Sequence, residues 1–187
     1  MTGPGAVLVT GGAGFVGTNV ADRLLRSGRD VVVLDDLSRT GVLDNLRWLR
    51  QEHPRVRVVE GDVRDARAVR KALEDVDEVF HFAAQVAVTT SVTDPRHDFA
   101  VNLAGTMNLL EEVRRSPRRP SLLFTSTNKV YGALPDVPVV ARDGRYEPAD
   151  AELRDHGVGE RRPLDFCSPY GCSKGGADQY VLDYAKT

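Results

Sequence analysis

A glycine-rich turn, Thr10-Gly11-Gly12-Ala13-Gly14-Phe15-Val16-Gly17, limits the fold of this chain more than any other stretch. The apolar run before it, Ala6–Thr10, reads as a buried strand. Across Gly14–Ser27, the residues Val16, Val20, Leu24 and Leu25 recur on one helical face. Strand, glycine turn and helix in that order begin a unit of parallel sheet with a crossover helix. Gly11 permits the tight turn, Gly14 lets backbone approach a pyrophosphate, and Gly17 lets helix pack against strand. The N-terminus of the helix, with Phe15 and Val16 in its first turn, offers N–H groups and partial positive charge to phosphates.

The alternation continues. Val31–Leu34, Val56–Val59, Val79–Phe82 and Leu122–Thr125 read as strands, and Val42–Arg50 and Ala66–Leu73 as helices. Asp94-Pro95, a capping residue followed by proline, opens a long helix to about Arg115. Apolar strands separated by helices predict a parallel sheet covered on both faces. The expected fold is α/β, a doubly wound Rossmann sheet of about five strands in the order 3-2-1-4-5. All 187 residues then form one domain of ordinary size. Ala133–Pro163 breaks the rhythm with prolines, glycines and charges that show no period. A structureless loop of that length is either disordered or functional, such as a lid over substrate.

Charge and cysteine content narrow the setting. A net charge of −2 leaves no footprint for nucleic acid or an anionic membrane, and the run Arg114–Arg119 reads as a solvated turn. No apolar run approaches the ~18 residues of a membrane span. Met1-Thr2-Gly3-Pro4-Gly5 lacks the basic and apolar regions of a leader peptide, so the expected compartment is the cytoplasm. Cys167 and Cys172 suit neither redox nor metal spacing and are expected to be free, buried thiols; no metal site is expected.

Two acids follow strands. Asp35 ends the second strand, where a carboxylate accepts hydrogen bonds from an adenosine ribose and repels a 2′-phosphate, favouring NAD over NADP. Asp36 competes for that role, and Arg39 stands close by. Asp62, followed by Val63, is either placed to meet the adenine or a simple turn residue. Further on, Ser168 and Pro169 read as the cap and first residue of a helix. That start sets Tyr170 and Lys174 one turn apart on a shared face, with the ammonium beside the phenol. By itself such a pair arises by chance too readily to assign chemistry.

In order along the chain, the glycine loop, Asp35, Phe82-Ala83-Ala84-Gln85, Asn102, Thr125-Ser126-Thr127-Asn128-Lys129-Val130-Tyr131-Gly132 and Tyr170-x-x-x-Lys174 form one pattern. It resembles that of the extended short-chain dehydrogenase/reductase family of nucleotide-sugar epimerases and dehydratases. The resemblance implies NAD as cofactor, a nucleotide-sugar substrate, and a homodimer in the full-length form. It implies that Tyr170 is the acid/base, Lys174 holds the nicotinamide ribose, and Thr127 hydrogen-bonds substrate. Gln85 and Asn128 join Thr127 around the substrate, and Thr125 joins the cofactor residues. Asn102 supports the site structurally, or is simply an internal helix asparagine. Lys129 reaches either phosphate or solvent. The implied reaction is epimerisation through a transient ketone, most similar to members acting at C2 of a CDP-linked 3,6-dideoxyhexose. A UDP-hexose 4-epimerase or a dehydratase are alternatives, although the dehydratases carry Asp-Glu where this chain has Asn128-Lys129. Chains of the family continue past the Tyr170 helix into further strands and a substrate domain, both expected to be absent here. A non-catalytic NAD-binding module is the alternative of another class.

Overall fold

The computed structural model describes residues 5–186; residues 1–4, most of the segment read against a leader, and residue 187 lie outside the described residues. Strand and helix alternate through β1 (Ala6–Thr10), α1 (Phe15–Arg26), β2 (Val31–Asp35), α2 (Val42–Glu52), β3 (Arg57–Glu60), α3 (Ala66–Ala72) and β4 (Val76–His81). Two short helices, α4 (Val88–Thr93) and α5 (Pro95–Phe99), a π turn over Ala100–Ala104, and α6 (Gly105–Arg115) lead to β5 (Ser121–Phe124). Beyond it come a 3-10 turn (Asn128–Tyr131), a hairpin of β6 (Val139–Arg142) and β7 (Arg145–Pro148), α7 (Ala151–His156) and α8 (Ser168–Tyr184).

The five-stranded sheet has the order β3-β2-β1-β4-β5, every pair parallel, as the alternation predicts. Successive side chains of a strand point to opposite faces, so the apolar runs serve two cores at once. Ala6, Leu8, Val32 and Leu34 pack with Val69 of α3 and Leu109 of α6. Val7, Val9, Val31 and Val33 pack with Ala21 of α1 and Leu46 and Leu49 of α2. Each fully buried Val or Leu contributes roughly 1.5–3 kcal/mol through water-excluded area.

Several expectations change. The fully buried residues of α1 are Gly17, Thr18 and Ala21; of the expected stripe, Leu24 and Leu25 pack partly buried against the core, but Val16 is 52% exposed. Small residues win there because the helix lies close against the glycine turn: a Cβ on Gly17 would stand 2.2 Å from the Gly11 carbonyl oxygen. The long helix starts as expected, with Asp94 accepting the His97 N–H at 3.0 Å and Pro95 after it. It is interrupted by the π turn, which directs Asn102 into the protein. The 133–163 segment is not structureless, since it holds the hairpin and α7, with Asp150 capping α7 through the Leu153 N–H. Its base is closed: the Asp165 N–H donates to the Val130 carbonyl at 2.9 Å and the Cys167 N–H to the Lys129 carbonyl at 3.2 Å. Cys167 and Cys172 are free but exposed, against the expectation of burial. In the basic run, Arg114 and Arg115 pair with Glu111 and Arg118 with Asp77, as suits a solvated turn.

Candidate active site

A groove of about 520 Å³ opens at the carboxyl ends of β1, β2 and β4. Its floor is the glycine turn. Gly11 has φ +65°, and a Cβ there would come within 2.7 Å of the Ala83 nitrogen; Gly14, by contrast, has only the Gly11 oxygen within reach, at 3.2 Å. Gly14, Phe15, Val16 and Gly17 all line the groove. The first turn of α1 contains no acid and its N-cap makes no side-chain hydrogen bond, so the end of the helix is neither capped nor neutralised. That cradle fits a pyrophosphate.

At the end of β2, the Asp35 carboxylate accepts the Ala13 N–H at 3.0 Å on one oxygen and the Leu37 N–H at 2.9 Å on the other. Burial pushes this carboxyl up, and the two N–H bonds oppose the shift. Each oxygen keeps a lone pair for a ribose hydroxyl. Asp36 is turned to its own loop, accepting from the Ser38 N–H and hydroxyl. Asp62 is gripped by Arg64, whose hydrogen bonds hold its carboxyl below the ordinary range. Asp35, Asp36, Asp62 and Val63 all line the groove.

The opposite wall is Phe82, Ala83, Ala84 and Gln85. Asn102 holds this wall from behind: its side-chain oxygen accepts the Gln85 N–H at 2.8 Å and its amide donates to the Gln85 carbonyl at 3.0 Å. Asn102 is 1% exposed and does not line the groove, so it supports the wall rather than touching a ligand. Its amide also faces Asp98 and Ser173, tying α8 to the same point.

His81, absent from the sequence expectations, stands behind the wall. The Thr106 hydroxyl donates to the Asn102 carbonyl at 2.6 Å, so Thr106 can only accept from His81 Nε2–H, at 3.0 Å. His81 Nδ1 then accepts the Thr10 hydroxyl at 2.6 Å, and Thr10 in turn accepts the Ala83 N–H at 3.2 Å. This tautomer is assigned from the network. Full burial first, and the Lys174 charge second, lower His81 to about 3, so the ring is neutral.

The remaining expected residues, Thr125, Thr127, Asn128, Tyr170 and Lys174, do not line the groove; they follow β5 or lie on the 3-10 turn and the start of α8, which pack against each other. Thr127 starts the 3-10 turn by accepting the Lys129 N–H at 3.2 Å, and it stands beside Asn128. Gly171 packs on that turn, where a Cβ would lie 3.1 Å from the Lys129 oxygen. Thr125 bonds the His81 carbonyl at 3.4 Å. The half-buried Tyr170 donates its N–H to Ser91, next to Thr90 in the groove lining. Ser168 sits at φ +69°, and its hydroxyl oxygen accepts the Gly171 N–H at 3.3 Å, as a cap does. One turn on, Lys174 is 4% exposed; burial draws its ammonium down to about 8, and Asp178 and Asp98 oppose. Val86, Thr90 and His97 also line the groove without having been expected there. His97 lies on α5, and no linear spacing marks it as a groove residue. Among the described residues, no group of three His, Cys, Asp or Glu side chains is placed to hold a metal, and no helix is long and apolar enough to cross a membrane.

Residues 8–187 match the model of a family described as GDP-mannose 4,6 dehydratase. The chain is 45% identical over 182 residues to CDP-paratose 2-epimerase of Salmonella typhi, covering 96% of this chain and 53% of that protein. It is 35% identical over 184 residues to dTDP-glucose 4,6-dehydratase of Mycobacterium tuberculosis, covering 97% and 49%. Among solved structures, UDP-glucose 4-epimerase of Thermus thermophilus in complex with NAD superposes with a TM-score of 0.75 at 34% identity, covering 97% of this chain and 51% of that one. The chain spans about half the length of the curated relatives it matches.

Proposed function

The chain belongs to the GDP-mannose 4,6-dehydratase family, and on that premise we propose that it is the NAD-binding half of a nucleotide-sugar epimerase. The observation that carries this reading is the groove floored by the glycine turn and bordered by Asp35, together with the packing of the 3-10 turn after Thr127 against α8, which bears Tyr170 and Lys174. The glycine turn and the start of α1 would hold the pyrophosphate, Asp35 the adenosine ribose, and Asp62 and Val63 the adenine side. When bound, NAD supplies a hydride acceptor that later returns the hydride, so the sugar carbon is oxidised and reduced without net redox change.

The residues of the chain do the rest. Tyr170 takes the proton of the sugar hydroxyl and gives one back to the ketone oxygen. Lys174 sets a positive charge one turn away, and Thr127 orients the hydroxyl. No acid follows Thr127 in the 3-10 turn, whose sequence is Asn128-Lys129-Val130-Tyr131. Removing water from a sugar needs a further acid, so epimerisation fits better than dehydration. The 45% identity to a CDP-paratose 2-epimerase favours C2 of a CDP-linked dideoxyhexose as the centre inverted. This half binds NAD and carries the acid/base group, the longer protein completes the grip on the sugar, and two copies pair through α6 and α8.

The test uses a version of the length of its relatives, with NAD and with CDP- and UDP-sugars. Tyr170→Phe should cut epimerisation on the order of 10²–10⁴-fold while NAD affinity is kept. Turnover that survives the substitution rejects the acid/base assignment, and NAD binding without turnover of any sugar favours a non-catalytic module.

A further inference from the structure

Lys174 is one of four lysines in the chain, and its surroundings are those of no surface lysine. It lies 4% exposed on the inner side of α8, with Nζ 4.0 Å from the centroid of the Phe124 ring. Among the described residues, no hydrogen-bond acceptor or ion-pair partner meets that ammonium. Nζ keeps a little contact with solvent, but a cation on so largely buried a side chain is costly unless neighbouring groups stabilise its charge. The negative face of an aromatic ring does so. Phe124 ends β5 three residues before Thr127, so the ring belongs to the strand that delivers the site. The His81 ring lies 5.7 Å from it, tilted by 38°, and burial, with the Lys174 charge, keeps that ring neutral. No second cation therefore competes for the same aromatic ring.

We propose that Phe124 is a positioning residue: its ring face holds the Lys174 ammonium charged and in place beside Tyr170 before any ligand arrives. Leucine at 124 would fill most of the same apolar space but would offer the charge no quadrupole. The charged and titratable groups around Lys174 come from each packed element. Tyr170 and Asp178 lie on its own helix, Asp98 and His97 on α5, His81 on β4, and Lys129 and Tyr131 on the 3-10 turn. α4 and the π turn contribute none, and the acids and arginines at the end of α6 are paired with one another and with Tyr184. Asp178 and Asp98 favour the ammonium while burial opposes it, so the ring contact acts on a balance already close to the physiological range.

The inference rests on reading Lys174 as part of the proposed site, but its test needs neither cofactor nor sugar. The lysine Cε resonances of ¹³C-labelled protein are titrated with pH, the Lys174 signal being assigned through Lys174→Arg. Phe124→Leu should lower the protonation constant of Lys174 about threefold or more. Phe124→Tyr should restore it, and the other three lysines should not move. Should Phe124→Leu fail to fold, pentafluorophenylalanine at 124 keeps the ring's size and inverts its quadrupole, and must lower the constant at least as far. An unchanged midpoint in either quadrupole-removing variant overturns the proposal, as does a Tyr variant that behaves like Leu. Failure of this titration leaves the NAD reading standing, and failure to bind NAD leaves the ring contact standing.

Discussion

His81 shows how one side chain ties acid sensitivity to the site. The unfolded chain protonates it in the ordinary histidine range, whereas the folded ring stays neutral down to about 3. Between those values the unfolded state holds the extra proton, so this contribution to stability is complete above the ordinary range and is lost as pH falls. The slope is about 1.4 kcal/mol per pH unit. Buried Asp98 and half-buried Asp35 and Asp178 have raised carboxyls and soften the loss, but a variant keeps them too. Urea denaturation across pH should therefore show wild type losing stability more steeply below about pH 6 than His81→Gln. Parallel curves would mean that His81 is not the neutral, buried group described. The glycine turn was legible in the sequence because its spacing along one loop is itself the signal, whereas Tyr170, Lys174 and Thr127 were assigned their roles only through the family resemblance. His81, Thr10, Thr106 and Phe124 were not legible, because their partners lie across strands and only the sheet order brings them together.

At the scale of elements, the junction of β1 and α1 is the least tolerant place in the fold. Gly17→Ala would press a methyl against the Gly11 carbonyl, with Gly12 only 2.7 Å away, and backbone cannot yield as a flexible side chain can. The substitution should cost about 1–3 kcal/mol, the range for overpacking. Because the displaced helix end carries the phosphate cradle, NAD affinity should fall with stability; calorimetric titration beside thermal melts checks both. Gly28→Ala is the control, with open space around it but a φ of +82° that makes it mildly strained, and it lies far from the cradle in sequence. Alternating strands and helices were legible because each apolar run is short and bounded. The π turn was not, since a single extra residue in a turn leaves the helical period almost unchanged. The hairpin of β6 and β7 was missed for a different reason. Its strands are largely exposed, so they lack the apolar alternation that marks a strand against a core.

For the molecule as a whole, the two edges of the sheet differ. β3 begins with Arg57 and ends with Glu60, charges that discourage pairing with another chain, whereas β5 reads Ser121-Leu122-Leu123-Phe124 with no charge. Leu123 is 47% exposed there. The 187-residue chain should consequently self-associate through β5, and Leu123→Lys should shift it toward monomer in sedimentation velocity. A wild-type chain that sediments as a monomer at high concentration would contradict this. The closed base of the 133–163 excursion has a different consequence. Two backbone bonds between 129–130 and 165–167 fix both anchors, so Thr127 on one side and Tyr170 on the other are held whatever lies between them. Insertions, deletions or wholesale exchange of the intervening residues can accumulate in a lineage without the 3-10 turn or the start of α8 being repositioned each time. The excursion is free to diversify, while its two anchors stay put.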